Sequence, residues 1–243
     1  MAEAFFWGLL AASSLMVGGL LALEIDIHER VLGLIMAFGA GVLISAVAFE
    51  LVEEAFETSS GSLEVASGLL AGALTFYVGD LLIDRMGGSD RKRMAGAQAP
   101  GSALAIVLGI VLDGIPESIV LGLSILTGGS VSVAFLAAVF LSNLPEAIAA
   151  TAGLAAGGWA RARILGLWAL VALVSAVAAL AGYGLFDSAS PRLLSFVLAF
   201  AGGAVLTMLA DTMMPEAYEH GGKLVGVVTT IGFGAAFALS ALE

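Results

Sequence analysis

The sequence predicts an all-α membrane protein of eight transmembrane helices, with inverted three-helix repeats around a central Pro-kinked helix pair. Three observations carry this expectation. The chain has 243 residues, is 60% hydrophobic and 12% charged, and has a mean hydropathy of +1.07. Those values lie well outside the range of soluble domains. The apolar residues fall into eight runs of about 20, the length that crosses a bilayer. Finally, one segment of the first half recurs in the second half in the opposite membrane sense.

The runs are 4–24, 31–52, 62–84, 102–127, 130–157, 162–185, 192–214 and 223–242. Together they make one transmembrane domain over 1–243, with a longer loop at about 85–101. The start, Met1-Ala2-Glu3-Ala4, lacks a basic n-region, so the first run is expected to be a retained helix. Short polar breaks separate the other runs: Asp26 to Arg30, Glu57 to Gly61, Gly128-Gly129, Gly157-Gly158, Asp187 to Pro191 and Glu219 to Gly222.

Eight spans make the loops alternate between two sides. Arg30, Arg85, Arg91, Lys92, Arg93, Arg161, Arg163 and Lys223 share one side; Arg192 alone is on the other. The positive-inside rule then puts the loop at 85–101 in the cytoplasm and both termini outside, in a multi-pass plasma (inner) membrane protein.

The repeat relates Ala37–Glu57 to Ala199–Glu219. At an offset of 162, seven of 21 positions are identical, ending in Glu54-Ala55-Phe56-Glu57 against Glu216-Ala217-Tyr218-Glu219. These segments belong to spans two and seven, which run in opposite directions. Inverted repeats around Pro-interrupted midplane helices are a feature of secondary transporters, and the interrupted pair marks the binding site.

That pair is spans four and five. Asp113-Gly114-Ile115-Pro116-Glu117-Ser118 is followed 29 positions later by Ser142-Asn143-Leu144-Pro145-Glu146-Ala147. Charge at bilayer depth is costly and marks function by default. Proline removes a donor and clashes with the turn before it, so Pro116 and Pro145 are expected to free the carbonyls of Leu112 and Leu141. Asp113 and Glu117 share a helix face, as do Ser142 and Glu146. If the helices cross at the prolines, Asp113, Glu117, Ser142, Asn143 and Glu146 form an all-oxygen cluster. Three unpaired carboxylates there would hold protons; a divalent cation would replace them. The blander alternative is two kinked helices whose polar groups satisfy each other.

The chain resembles the ZIP (Zrt/Irt-like) family of divalent metal transporters over nearly its whole length. That family's fourth span typically reads His-Asn-x-Pro-Glu-Gly, where this chain has Asp113-Gly114-Ile115-Pro116-Glu117-Ser118; its fifth carries a polar pair, x, Pro and Glu, here Ser142-Asn143-Leu144-Pro145-Glu146. The resemblance implies metal import towards the cytoplasm by elevator-like motion of one helix bundle against another, a metal on spans four and five, and room for a homodimer. The cation is a substrate; no cofactor, no catalytic centre and no nucleic-acid partner are expected. Asp113 replaces the family's histidine and Gly114 its asparagine. The sixth span has no ionisable residue and the loop at 85–101 no histidine. One ion is therefore expected rather than two. Family likeness favours zinc, while oxygen ligands suit harder ions such as manganese, and iron is a further option.

Other acids extend the path. Glu50, Glu53, Glu54 and Glu57 form a candidate entrance at the outer end of span two, with Glu50 the deepest. Asp211, Glu216, Glu219 and His220 form a candidate exit on span seven, and Asp80 a candidate wall on span three. Asp84 with Arg85 reads as a helix-end pair, and His28 as a loop residue. Met208, Met213 and Met214 read as packing, and Gly68 with Gly72 as a weak helix-association motif. Two other functions remain open. A carrier of similar plan for another cation fits the oxygen-only donors. An intramembrane aspartyl protease would resemble Gly-x-Gly-Asp, but Tyr77-Val78-Gly79-Asp80 lacks the first glycine and no Tyr-Asp partner occurs.

Overall fold

The computed structural model describes residues 1–59, 61–88, 103–128 and 131–242, and every regular element among them is helical. Most of the loop at 85–101, with Arg91, Lys92 and Arg93, and the Gly129-Ser130 turn lie outside the described residues. In chain order the α-helices are α1 (Ala2–Glu24), α2 (Glu29–Ala46), α3 (Glu54–Ser59), α4 (Ser62–Ile83) and α5 (Ala103–Gly128). They continue with α6 (Val133–Ala156), α7 (Arg161–Phe186), α8 (Pro191–Met208), α9 (Met214–Gly221) and α10 (Val225–Ser240). Among the described residues, seven helical stretches are long and apolar enough to cross a membrane.

Local chemistry sets the helix ends. Ile25 leaves α1 in an extended conformation, and the side chain of His28 caps α2 by accepting from the Arg30 N–H. His28, a loop residue in the sequence reading, is thus an N-cap. Ser132 caps α6 by accepting from Phe135, and Ser190 caps α8 by accepting from Leu193, with Pro191 pre-set at the first turn.

Two helices run past their predicted apolar ends. Span two continues through a π-helical segment, Val47–Glu53, into α3; span seven continues through Leu209–Met213 into α9. The added turns carry acids at intervals, so they extend helix without extending the apolar run. The stretch from Pro191 to Ser240 is 50 residues long and is interrupted at Gly222. There φ is +66°, a value that L side chains rarely adopt.

The helices pack in two groups. α4 lies along α8 and α10 along α2; α1 packs on α6 and α7, and α5 on α7. α1, α5, α6 and α7 share a core around the fully buried Trp168. Its Nε1 donates to Thr151 Oγ1 at 2.8 Å, and Gly19 of α1 leaves room for the indole. Contacts of α2 with α6 and of α5 with α8 join the groups. Helix axes come close where glycine meets backbone: a Cβ at Gly41 would strike the Thr229 carbonyl, and one at Gly72 the Phe200 carbonyl. Such small-residue contacts are how membrane helices associate.

Candidate functional site

Pro116 and Pro145 both sit inside continuous helices, α5 and α6. Neither proline ends its helix, so the carboxylate four residues after Asp113 stays on Asp113's face. The sequence around each proline is apolar and helix-compatible, which keeps the segments helical despite the missing N–H.

Burial sorts these residues from the lipid-facing ones. Asp113, Glu117, Ser142, Asn143 and Glu146 are all at most 6% exposed. In a chain whose outer surface is apolar, that puts both hexapeptides on the interior faces of their helices. α5 and α6 also touch directly. Asp113, Glu117 and Glu146 each take part in a polar or electrostatic contact. The Ser142 hydroxyl donates to the Val139 carbonyl at 3.0 Å, which leaves its lone pairs to face the interior. Among the described residues, no three His, Asp or Glu side chains are gathered into a ready-made metal cage.

Two interior residues escaped the sequence reading. Ser175 of α7 is buried, and its Oγ would lie 3.6 Å from a Cβ at Gly114. α7 thus presents a hydroxyl beside Gly114. Thr151, one turn beyond Glu146, is also buried, held by Trp168. A polar residue in the middle of an otherwise apolar span was the available signal for Ser175.

The outlying acids divide. Glu50 lies in the first π segment, half-buried, and accepts from the Ser240 Oγ at 2.6 Å; the ring of the neighbouring Phe49 packs at a tilt against Phe233 and Phe237 of α10. Glu54 is half-buried and accepts from Thr58. Glu53 and Glu57 are exposed. Asp80 is half-buried on α4 and has a polar or electrostatic contact. Glu216 is buried on α9. Asp211 is exposed and lines a shallow, mostly apolar groove between α4 and α8. No protein-family model and no curated protein matches the chain.

Proposed function

We propose that the chain carries a divalent metal cation across the membrane towards the cytoplasm, binding it between the hexapeptides of α5 and α6. The observation that carries this reading is the burial of five oxygen-bearing side chains, Asp113, Glu117, Ser142, Asn143 and Glu146, on the interior faces of two touching, Pro-containing helices. In this reading Glu117 and Glu146 are the principal ligands, with Asp113, Ser142 and Asn143 completing the oxygen shell. Resemblance to the ZIP family favours zinc as the ion; the donor set favours manganese, with iron between them.

The reading includes eight spans. Fifty helical residues from Pro191 to Ser240 would rise about 75 Å, against a hydrocarbon core of about 30 Å, so the break at Gly222 separates two crossings. It also includes an inverted repeat of spans one to three in spans six to eight. Three matches support that repeat. The π segments start at Val47 and Leu209, at the same offset of 162 as the sequence repeat. α2 packs on α10 as α8 packs on α4, and α1 on α6 as α7 on α5. Gly41 meets the Thr229 carbonyl as Gly203 meets that of Leu69, while Gly232 meets the Phe38 carbonyl as Gly72 meets that of Phe200. A molecule built this way has two equivalent ways to tilt one helix group against the other, which is the mechanical basis of elevator-like access. The groups are α1, α5, α6 and α7, carrying the site, and α2, α4, α8 and α10, with both termini outside.

The test is metal binding and uptake by the purified, reconstituted chain. Glu117→Gln with Glu146→Gln is expected to abolish stoichiometric zinc or manganese binding and to cut uptake at least a hundredfold. Normal uptake by that folded variant would refute the site. Uptake of another cation, with no divalent metal bound, would favour a carrier of the same plan for that cation.

A further inference from the structure

α5 and α7 pack against each other, but not evenly. Beyond the α5 hexapeptide they meet backbone to backbone: a Cβ at Gly122 would strike the Ala179 carbonyl, and one at Gly182 the Ile119 carbonyl. At Gly114, inside the hexapeptide, a Cβ would find one neighbour within 4 Å among the described residues, the Ser175 Oγ at 3.6 Å. Gly114 is buried all the same. Gly18, Gly19 and Gly39, also buried, are by contrast pressed by the Leu144 carbonyl, the Trp168 indole and the Leu141 carbonyl. α5 and α7 therefore part by about the width of a methyl group beside Gly114, which leaves a small interior recess.

The recess is polar. Serines inside helices often turn their hydroxyl onto a carbonyl of the same helix, as Ser14, Ser124 and Ser142 do. Ser175 is 6% exposed and makes no such bond among the described residues. Its Oγ is instead the atom nearest the open position at Gly114. Ser118 is buried as well and lies one turn beyond Gly114 on the same face of α5. Glu117, three residues from Gly114, is the adjoining position on that helix surface. Packing alone does not account for Ser175. Ala172, Ala176 and Ala179 line the same buried face of α7, and a hydroxyl without a partner in such an interior is costly.

We propose that the recess holds one water molecule, positioned by Ser175 and Ser118, and that this water is a ligand of the ion at Glu117. The inference rests on the reading of the α5–α6 hexapeptides as a divalent-cation site, and it names the kind of ion the site takes: one that arrives partly hydrated. A water is no larger than the methyl group for which there is room. Inside a protein it needs about two to four polar partners, and the two hydroxyls and the ion meet that need. A polar group behind a metal ligand fixes the ligand's orientation, and Ser175 does this for the water. Hard divalent ions are held by carboxylate, carbonyl and water together, whereas zinc favours a small, closed shell of protein ligands. A built-in place for a water beside Glu117 thus tilts the site towards manganese-like ions.

Mn²⁺ is the probe, bound to the purified full chain in detergent, and proton relaxation of the solvent counts the exchangeable waters on the bound ion. Gly114→Ala adds the methyl group for which the recess has room. It should leave thermal unfolding unchanged, remove one water from bound Mn²⁺ and shift competition between the two ions several-fold towards Zn²⁺. Ser175→Ala should weaken Mn²⁺ binding several-fold while Zn²⁺ binding stays within twofold. The two substitutions together should do no more than Gly114→Ala alone, because both act through the same water. A chain unfolded by Gly114→Ala, or a water count and ion ratio that it does not move, would overturn the recess. So would equal loss of both ions in Ser175→Ala, which is the mark of a packing role. In each of those cases the central site stands if Glu117→Gln with Glu146→Gln still abolishes Mn²⁺ binding. Mn²⁺ binding that survives that pair, or no Mn²⁺ binding by the unaltered chain, would overturn the central site and the recess with it.

Discussion

Two helix pairs, α2 with α10 and α8 with α4, pack in the same way and carry different acids. α2 lies on α10, and α8 on α4, through glycines pressed against carbonyls at matching positions. α2 and α8 then each continue into a π segment, starting at Val47 and at Leu209. There the likeness stops. In the first π segment Glu50 is tied to Ser240, and its neighbour Phe49 packs against Phe233 and Phe237. In the second half the π segment carries Asp211, exposed in a groove on the outer flank. The comparison teaches that glycine–backbone contacts set the shared framework, while the acids placed upon it differ in burial and partners. A π segment leaves carbonyls outside the regular ladder and is often retained at functional positions.

The largest expected effect attacks the shared framework. Gly41→Leu and Gly203→Leu each force a side chain into the carbonyl of a neighbouring helix. Overpacking of this kind costs about 3 kcal/mol at the upper end of its range. Both variants should lose thermal stability in detergent by similar amounts. If one is tolerated and the other unfolds, the two helix pairs are not equivalent and the repeat is only superficial.

The next effect concerns the ion. Asp113→His restores an imidazole to the α5 hexapeptide and should shift preference from manganese towards zinc by about tenfold, roughly 1.4 kcal/mol. Competition between the two ions for uptake measures it. An unchanged ratio would mean that Asp113 supports the site without touching the metal, and that α5 contributes Glu117 alone.

A smaller effect separates the π segments Val47–Glu53 and Leu209–Met213. Glu50→Ala should lower uptake several-fold, because it removes an acid held towards the end of α10 by a 2.6 Å hydrogen bond. Asp211→Ala should leave uptake within twofold, because Asp211 is exposed in the groove between α4 and α8. Equal losses would place Asp211 on the path after all and make the halves functionally alike.

Much of this was legible in the sequence, for reasons particular residues make plain. The apolar runs gave the helices because a bilayer demands about 20 such residues. Asp113, Glu117 and Glu146 stood out because acids in those runs carry a cost that only an interior position offsets. The extensions beyond residues 52 and 214 were not legible, since hydropathy falls where Glu53, Glu54, Glu57 and Glu219 begin, although the backbone stays helical. Nor was the recess beside Gly114. It is made by α5 and α7, far apart in sequence, meeting at Gly114 and Ser175, and no periodicity reports such a meeting. The burial of His220 was hidden for the same reason: Gly33, which presses on it, belongs to another helix.

The smallest effect tests whether the comparison extends to the helix ends. Arg161 opens α7 and pairs with Glu24, which closes α1; Arg192 pairs with Glu64 at 3.6 Å across the starts of α8 and α4. Arg161 at a helix N-terminus and Glu24 at a C-terminus both oppose the backbone dipole, so removing either relieves one adverse interaction while breaking the pair. Both partners of that pair are more than half exposed, and Arg192 in the other pair is 83% exposed. Screening by water and salt leaves exposed pairs worth about 0–1 kcal/mol. Arg161→Ala and Arg192→Ala should therefore each move the unfolding temperature very little. If Arg161→Ala alone costs much more, the Glu24–Arg161 pair is holding α1 against α7, and that end of the molecule is clamped in a way the end with Glu64 and Arg192 is not.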